Sequence, residues 1–326
     1  MSNALIPFNG VAVNRMGFGC WQLAGDYNLN GRPNGYGSID IAESVRAVHA
    51  ALDGGMNFFD TAVGYGAGRS EQVLGEALRS YAGGSNVTPV ICTKYGIIEG
   101  TDTDDDDFSE QNMLKSVHRS LERLQVDCLG ALLLHNPPDD MDLSAFDTTP
   151  LEKLKQDGKI LSYGVSCRTQ KGVANVLKNG FGSVIEAVYN PLDRRYEGFF
   201  SDERYKDQYT FICRVPLASG FINPKTITED RVFPANDIRS NFNAEQVAWV
   251  TGAVRALSFL QELEGGISVS ALRFQLSNPY QTLTIPGIKN TQQLQDAQLA
   301  LQLGPLPQQV LEQIAAAVPE VFYRWR

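Results

Sequence analysis

The 326-residue sequence lacks features that mark several whole classes of protein. It has no run of 18 apolar residues, which argues against a membrane span. Its N-terminus shows no basic stretch followed by an apolar one, so we expect no secretory signal. Lys and Arg number 28 against 37 Asp and Glu, a net charge of −9. An acidic chain without a basic stripe is a poor candidate for binding nucleic acid, and small molecules are the expected partners.

Cysteine and histidine are too few and too dispersed for a disulfide framework or a zinc site. The five cysteines form an odd set without C-x-x-C spacing and are Cys20, Cys92, Cys128, Cys167 and Cys213. We therefore predict free thiols in a reducing cytoplasm. Of the three histidines, His49 and His118 fall in predicted helices and leave His135 alone. This supply of ligands disfavours a metal-dependent hydrolase, and we predict no metal.

Eight short apolar segments alternate with stretches of helical periodicity. The predicted strands are Arg15–Gly19, Asn57–Asp60, Pro89–Lys94, Leu129–His135, Ile160–Ser166, Val184–Tyr189, Thr210–Val215 and Gln281–Ile285. Eight strand–helix repeats favour a closed (β/α)8 TIM barrel over an open doubly wound sheet. An open sheet for a dinucleotide commonly carries G-x-G-x-x-G after its first strand, whereas Gly17-Phe18-Gly19-Cys20-Trp21-Gln22 lacks the third glycine.

The helices between the strands are marked by apolar spacing and by capping residues. They are predicted at Ile39–Leu52, Ser70–Leu78 with Ser70 as its cap, Ser109–Leu124, Leu151–Gln156, Thr169–Leu177, Ala244–Leu263, Ser268–Leu276, Thr291–Ala300 and Gln308–Ala316. Two stretches read as irregular: the acidic Gly100–Asp107, interpreted as a solvated loop, and Ala218–Asn241, whose length is typical of a functional lid.

The two ends of the chain lie outside the repeat. Asn9-Gly10 is a strong hairpin signal between Leu5–Phe8 and Val11–Val13, and we expect this hairpin to plug the N-terminal end of the barrel. Gln308–Ala316 is the C-terminal helix. The aromatic tail Phe322–Arg326 could cover the barrel mouth or pack on its side. Residues 1–326 are expected to form one barrel domain.

Three predicted strands end in ionisable residues: Asp60, Lys94 and His135. Each alone is commonly a turn, cap or surface residue, but a barrel brings the C-terminal ends of its strands to one mouth. Tyr65 lies nearby in a loop containing three glycines.

These four side chains suit the reduction of a carbonyl group, because the oxygen must gain a proton as hydride reaches the carbon. Tyr65 can donate that proton if the Lys94 ammonium lowers its pKa from about 10. Asp60 would keep Lys94 charged in a cleft of low dielectric. His135 can donate a hydrogen bond to the carbonyl oxygen and orient it.

The sequence resembles the aldo-keto reductases in motifs that occur in order from about Gly17 to Ala297. The matching segments are Phe58-Phe59-Asp60-Thr61-Ala62-Val63-Gly64-Tyr65-Gly66, Arg69-Ser70-Glu71 with Leu74-Gly75, Thr93-Lys94, Leu133-Leu134-His135-Asn136-Pro137, Gly158-Lys159-Ile160 with Tyr163-Gly164-Val165-Ser166, Tyr189-Asn190, Pro216-Leu217-Ala218-Ser219-Gly220 and Ile285-Pro286-Gly287. The resemblance implies an eight-stranded barrel that reduces aldehydes or ketones with NAD(P)H and without metal. It also implies the catalytic tetrad Asp60, Tyr65, Lys94 and His135, with Tyr65 as proton donor.

The resemblance further implies a set of cofactor contacts. They are Gly19, Cys20, Trp21, Asp60, Ser166, Cys167, Glu186, Arg214, Pro216, Leu217, Ser219, Gly220, Gly287, Lys289 and Gln293. Several depart from the family's usual residues: Cys167 stands for Asn, Glu186 for Gln, Arg214 for Tyr or Trp, Lys289 for Arg, and Ala297 for Asn.

Two of these contacts carry specific hypotheses. Arg214 either lies against the nicotinamide and weakens binding of its oxidised, positively charged form, or turns to a carboxylate such as Glu186. Lys289 matches the residue that binds the 2′-phosphate, so NADPH is predicted over NADH. Its alternative is an ordinary surface lysine.

Trp21 is expected to form a wall of the substrate cleft or to pack in the core. The alternative function is a nucleotide-binding regulatory or sensor subunit with little turnover, as barrels of this family can also be sensors. The physiological carbonyl and the oligomeric state are left open, because loops that vary freely determine the substrate.

Overall fold

The computed structural model describes residues 5–83, 87–98, 105–205, 207–280 and 282–319. Within these ranges the strands are β1 Leu5–Phe8, β2 Val11–Asn14, β3 Phe18–Gly19, β4 Asn28–Leu29, β5 Arg32–Pro33, β6 Phe58–Asp60, β7 Val90–Tyr95, β8 Ala131–His135, β9 Tyr163–Ser166, β10 Val184–Val188, β11 Thr210–Arg214 and β12 Leu283–Ile285. Strands β3 and β6 to β12 form one parallel sheet in sequence order. Parallel bridges Met16–Thr284 and Gly19–Gly287 join its two ends.

The (β/α)8 barrel predicted from the sequence is therefore confirmed, together with all eight predicted strands. Gln281, the first residue of the last predicted strand, lies outside the described residues, as do the aromatic tail 322–326 and residues 100–104 of the acidic loop. That the whole chain forms one domain stays a prediction. No helix in the described ranges is both long enough and apolar enough to cross a membrane.

The helices cover the outside of the barrel. They are α1 Ile41–Asp53, α2 Arg69–Ser80, α3 Glu110–Leu124, α4 Thr149–Gln156, α5 Gln170–Asn179, α6 Glu197–Phe200, α7 Pro224–Thr228, α8 Ala244–Ala256, α9 Gly266–Leu276, α10 Thr291–Leu303 and α11 Gln308–Ala317. The single predicted helix Ala244–Leu263 is wrong, because α8 ends at Ala256 and a separate 3₁₀ turn covers Ser258–Glu262. The predicted lid Ala218–Asn241 contains α7 and two 3₁₀ turns.

The N-terminal hairpin closes the bottom of the barrel, as predicted. Ile6, Phe8 and Val13 are buried against inward-facing residues of the barrel strands. At the turn, Asn9 Nδ2 donates to the Ser162 hydroxyl at 2.7 Å. The plug seals the barrel interior at one end, so access to the interior is from the opposite end.

The alternation of side chains along each strand places polar groups at that open end. The inner core contains Phe58, Val90, Cys92, Ala131, Leu133, Val184 and Ile212. Two residues further along the respective strands come Asp60, Lys94, His135, Glu186 and Arg214. The same face of each strand therefore turns from apolar to charged at the mouth of the barrel.

Two loops meet across the mouth: the first mouth loop, residues 20–40 after β3, and the second mouth loop, residues 215–243 after β11. The backbone N–H of Ile238 donates to the carbonyl of Gly35 at 2.7 Å. Further contacts between these loops join Asn236 to Asp26, Asn241 to Pro33, and Arg239 to Tyr36. These contacts hold the two mouth loops together.

Candidate active site

Lys94 is the centre of the cluster at the barrel mouth, and its side chain is fully buried. Its Nζ donates to Asp60 Oδ1 at 2.6 Å and to the backbone carbonyl of Thr61 at 3.0 Å. It lies 3.4 Å from the Tyr65 hydroxyl and 3.3 Å from Glu186 Oε2. The ammonium therefore has two carboxylate neighbours, whereas the sequence predicted one.

The charge state of Lys94 follows from these neighbours. Burial by itself lowers the pKa of this ammonium, but the Asp60 and Glu186 carboxylates raise it well above its ordinary value. Burial and the like charge of Glu186 raise the pKa of Asp60, and Lys94 opposes that rise. A buried ion pair of this kind is stable only while both partners are present.

Tyr65 is held between two aromatic side chains. The Trp21 ring stacks on it with centroids 5.2 Å apart, and the His135 ring meets it edge-on at 5.6 Å. Trp21 is fixed in turn by its indole N–H, which donates to the carbonyl of Asn34 at 3.1 Å. Trp21 is only partly buried and contacts Tyr65, and its role as a wall of the substrate cleft stays a prediction.

Burial governs the acidity of Tyr65 and His135. It raises the pKa of Tyr65, and the Lys94 ammonium opposes this rise. The net direction is opposite to the lowering that the sequence predicted, because the loss of solvation outweighs the ammonium. Burial, with the charges of Lys94 and Arg214, lowers the pKa of His135 well below its ordinary value. At neutral pH the site therefore holds a neutral phenol and a neutral imidazole.

A third buried carboxylate, Glu71, supports the strand that carries Lys94. Glu71 Oε1 accepts hydrogen bonds from Thr93 and from Ser120, each at 2.7 Å, and Arg123 lies 3.1 Å from Oε2. These bonds tie β7 to α2 and α3. The neighbouring Ser70 is not the helix cap that the sequence predicted: Gly68 is the N-cap, and the Ser70 hydroxyl donates to the carbonyl of Cys20 instead.

Glu186 and Arg214 form a second ion pair next to Lys94. Arg214 Nε lies 3.7 Å from Glu186 Oε1, and the same oxygen accepts from the Ser166 hydroxyl at 2.9 Å. Arg214 also donates to the backbone carbonyl of Cys167 at 3.3 Å. Of the two orientations considered for Arg214, the structure has the one turned toward a carboxylate.

Sequence similarity agrees with this geometry. The family model for the aldo/keto reductases matches residues 15–319. The chain belongs to the aldo/keto reductase family.

Known members are similar along almost the whole chain. The aldo-keto reductase YhdN of Bacillus subtilis is 25% identical over 300 residues, 90% of this chain and 87% of the relative. A probable voltage-gated potassium channel subunit beta from rice, Oryza sativa subsp. japonica, is 23% identical and covers 95% of this chain and 94% of its own. The glycerol dehydrogenase AKR11B4 of Gluconobacter oxydans has the same fold, with a TM-score of 0.77, 24% identity and coverage of 100% and 99%.

Membership makes the chain an oxidoreductase of a family that uses nicotinamide cofactors. The described residues fit such a group at the barrel mouth. Asp60 Oδ2 and His135 Nδ1 are buried there without a hydrogen-bond partner, and Glu186 Oε2 and Arg214 Nε have ion-pair contacts but no hydrogen bond. In the described ranges no group of three or more His, Cys, Asp and Glu side chains could hold a metal ion.

The turn after β11 has the strained backbone that is typical of binding loops. Val215, Ala218 and Ser219 have φ between 49° and 59°, and Gly220 has φ 80°. A β-branched residue such as Val215 rarely adopts this conformation. Pro216 and Leu217 lie within the same turn, so the predicted pyrophosphate contacts are brought together at one place beside Arg214.

Other predicted cofactor residues have a packing role in the structure. A Cβ on Gly19 would lie 2.9 Å from the carbonyl oxygens of Ile285 and Pro286, and one on Gly287 would overlap the Gln22 side chain. Gly19 thus permits the first and last barrel strands to meet, whereas Gly287 leaves space for the Gln22 side chain. Cys20 is fully buried. Contact of these three residues with a cofactor stays a prediction.

The predicted adenosine end lies at the N-terminus of α10. Gln293 Oε1 accepts from the backbone N–H of Lys289 at 2.9 Å. Glu43, from the first turn of α1, accepts from the backbone N–H of Thr291 at 2.9 Å and from its hydroxyl at 2.7 Å. Glu43 is thus bonded to a residue two positions after Lys289. The sequence did not predict this contact, because it joins the first helix of the repeat to the last.

Proposed function

We propose that the protein reduces an aldehyde or ketone to an alcohol with NADPH, and that Tyr65 donates the proton. The observation that carries this proposal is the contact of the Tyr65 hydroxyl with Lys94, which is itself bonded to Asp60, beside the His135 ring. The four residues come from three barrel strands and one loop and meet at the only end of the barrel that the hairpin leaves open.

Each side chain has a distinct task in this scheme. A bound nicotinamide cofactor would supply the hydride for the carbonyl carbon. His135 is neutral, so its imidazole can donate a hydrogen bond to the carbonyl oxygen while its other nitrogen stays unprotonated. The Tyr65 hydroxyl gives its proton to the same oxygen as negative charge develops there. Lys94 stabilises the phenolate that remains, and Asp60 with Glu186 keeps Lys94 protonated.

Three regions would hold the cofactor. Ser166, Glu186 and Arg214, on adjacent strands, would face the nicotinamide. The strained turn 215–220 would place backbone groups near the pyrophosphate. Lys289 would bind the 2′-phosphate and thereby favour NADPH over NADH. A titration in which NADH binds more tightly than NADPH would contradict that preference. The five cysteines, all free thiols, support a cytoplasmic site of action.

A regulatory or sensor role is the second candidate, and the similarity to a potassium channel subunit beta favours it. Both roles require the cofactor site, but they differ in turnover. Steady oxidation of NADPH with simple aldehydes supports the reductase, whereas tight binding of NADPH without consumption supports the sensor.

A panel of aldehydes and ketones, monitored by loss of NADPH absorbance, tests the reductase. Tyr65→Phe should retain NADPH binding and lose about 10² to 10⁴ of the turnover rate, the usual contribution of a proton donor. Tyr205→Phe, which removes a phenol in the β10–β11 connection away from the tetrad, is the matched control and should keep full activity. Full activity of Tyr65→Phe would contradict the assignment.

A further inference from the structure

We propose that Glu186 is a positioning residue that balances the charge of Arg214 and so decides how strongly the site distinguishes oxidised from reduced nicotinamide. The inference rests on the proposed function, because it requires a nicotinamide cofactor at this mouth.

Glu186 is the junction of the charged cluster. It is 1% exposed, and its two oxygens face different partners. Oε2 lies 3.3 Å from Lys94 Nζ, and Oε1 accepts from Ser166 and lies 3.7 Å from Arg214 Nε. One carboxylate is therefore shared between the catalytic ammonium and the guanidinium.

The formal charges of the cluster cancel only when Glu186 is ionised. Asp60 and Glu186 contribute two negative charges, and Lys94 and Arg214 contribute two positive ones. A neutral residue at position 186 would leave Asp60 to pair with Lys94, and Arg214 would lose its carboxylate. A buried or half-buried charge without a partner acts strongly on any charge placed near it.

The cofactor ring brings such a charge. The oxidised nicotinamide is positive and the reduced ring is neutral, and only the oxidised form interacts with a net charge of the site. For hydride to reach a carbonyl held between Tyr65 and His135, the ring must lie within a few ångströms of this cluster. The charges of Lys94, Glu186 and Arg214 all act on the Tyr65 phenol. A nicotinamide ring beside Tyr65 would therefore be close enough to interact with the same three charges.

Two single variants should therefore change the preference in opposite directions. Glu186→Gln leaves Arg214 without its counter-ion, so the ratio of the NADP⁺ to the NADPH dissociation constant should rise about tenfold. Arg214→Gln leaves Glu186 in excess, so the same ratio should fall by a similar factor. The double variant removes both charges and should return the ratio close to the wild-type value.

The measurement is a titration of each protein with NADP⁺ and with NADPH, monitored by the quenching of tryptophan fluorescence. Circular dichroism and thermal melting check that each variant is folded. The Arg214 side chain is 20% exposed and that of Glu186 is 1% exposed, so Arg214→Gln should disturb the packing less than Glu186→Gln does. If Glu186→Gln does not fold, the ratio measured for Arg214→Gln tests the inference. A purely structural role would weaken both cofactor forms equally and leave the ratio unchanged.

An unchanged ratio in Arg214→Gln, or ratios that move in the same direction in both single variants, overturns the inference. If the wild-type protein also oxidises NADPH with a carbonyl, the proposed function survives this result. If the wild-type protein binds neither NADP⁺ nor NADPH, the proposed function and the inference are both overturned. Opposite shifts with recovery in the double variant support the inference.

Discussion

The indole ring of Trp21 lies parallel to the phenol ring of Tyr65, with 10° between the planes and 5.2 Å between the centroids. Tyr36 packs edge-on against the same indole at 5.3 Å. The phenol is therefore clamped in the orientation that directs its hydroxyl to Lys94. In the proposed reaction this positioning of Tyr65 would contribute to the rate, because proton transfer needs a fixed distance and angle.

Trp21→Leu should lower kcat, because Tyr65 loses its stacking partner, and should raise KM for the carbonyl if Trp21 forms the predicted wall of the substrate cleft. Steady-state kinetics with the best substrate of the panel measure both constants. Trp249→Leu, which changes a tryptophan of α8 on the outer side of the barrel, is the control. Unchanged kcat and KM in Trp21→Leu would show that the stacking has no functional role.

Lys94→Met should destabilise the folded protein more than Asp60→Asn does. The methionine leaves Asp60 without its counter-ion and Glu186 with Arg214 as its remaining cation, whereas the asparagine leaves Lys94 paired with Glu186. Removal of one partner from a buried ion pair commonly costs about 3–5 kcal/mol of unfolding free energy. Urea denaturation at pH 7 compares the two variants. Equal losses would contradict the role of Glu186 as a second counter-ion.

His135 should make the protein less stable as the pH falls through 6.5. Its pKa is lowered in the folded state, so below about 6.5 the unfolded chain binds a proton that the folded imidazole does not bind. This difference costs about 1 kcal/mol of unfolding free energy between pH 6.5 and 5.5. His135→Gln should have a flatter stability profile over that interval, and His118→Gln, which changes an exposed histidine, should keep the wild-type slope. Parallel profiles for His135→Gln and wild type would contradict the prediction.

Arg239→Ala should accelerate the release of NADPH. The guanidinium pairs with Asp237, stacks on Phe233 with 4.5 Å to the ring centroid and donates to the carbonyl of Ser219, so it holds the second mouth loop in place. Stopped-flow fluorescence should show a dissociation rate several-fold faster than wild type. Arg204→Ala is a matched control, because Arg204 makes the same kind of pair with Asp202 on an exposed segment.

A release rate of Arg239→Ala equal to that of the Arg204→Ala control would show that the contacts of Arg239 within the second mouth loop do not retain the cofactor. A thermal melting curve of Arg239→Ala shows whether the variant is folded, so that unfolding is not mistaken for faster release of the cofactor.

Glu43→Gln should increase the affinity for NADPH and leave that for NADH nearly unchanged. Hydrogen bonds from the Thr291 backbone and hydroxyl, and from Arg46, lower the pKa of Glu43 to about 2, so its carboxylate is charged at every working pH. A negative charge beside the segment that carries Lys289 opposes a phosphate there. Titrations with both cofactors measure the change, and Glu76→Gln on α2 is the control. Equal effects on NADPH and NADH would remove Glu43 from cofactor selection.

The sequence was sufficient for the barrel and for the meeting of Asp60, Lys94 and His135 at its mouth, because both depend on local patterns. Each strand is a short apolar segment, and Asp60, Lys94 and His135 stand where such segments end. A barrel brings strand ends together whatever the details of packing, so their meeting could be expected. The asparagine–glycine turn at residues 9–10 likewise fixed the hairpin, since few other sequences favour that turn.

Only the tertiary structure decided which charges pair. Glu186 reaches Lys94 across more than 90 residues of sequence, and Arg214 reaches Glu186 from the next strand, because a closed barrel points alternate side chains of separate strands into one space. The contact of Glu43 with Thr291 of α10 and the contacts between the two mouth loops also join segments that are distant in the sequence. The direction in which the pKa of Tyr65 shifts also depends on burial. Burial is a property of the packed molecule and not of the neighbouring residues in the chain.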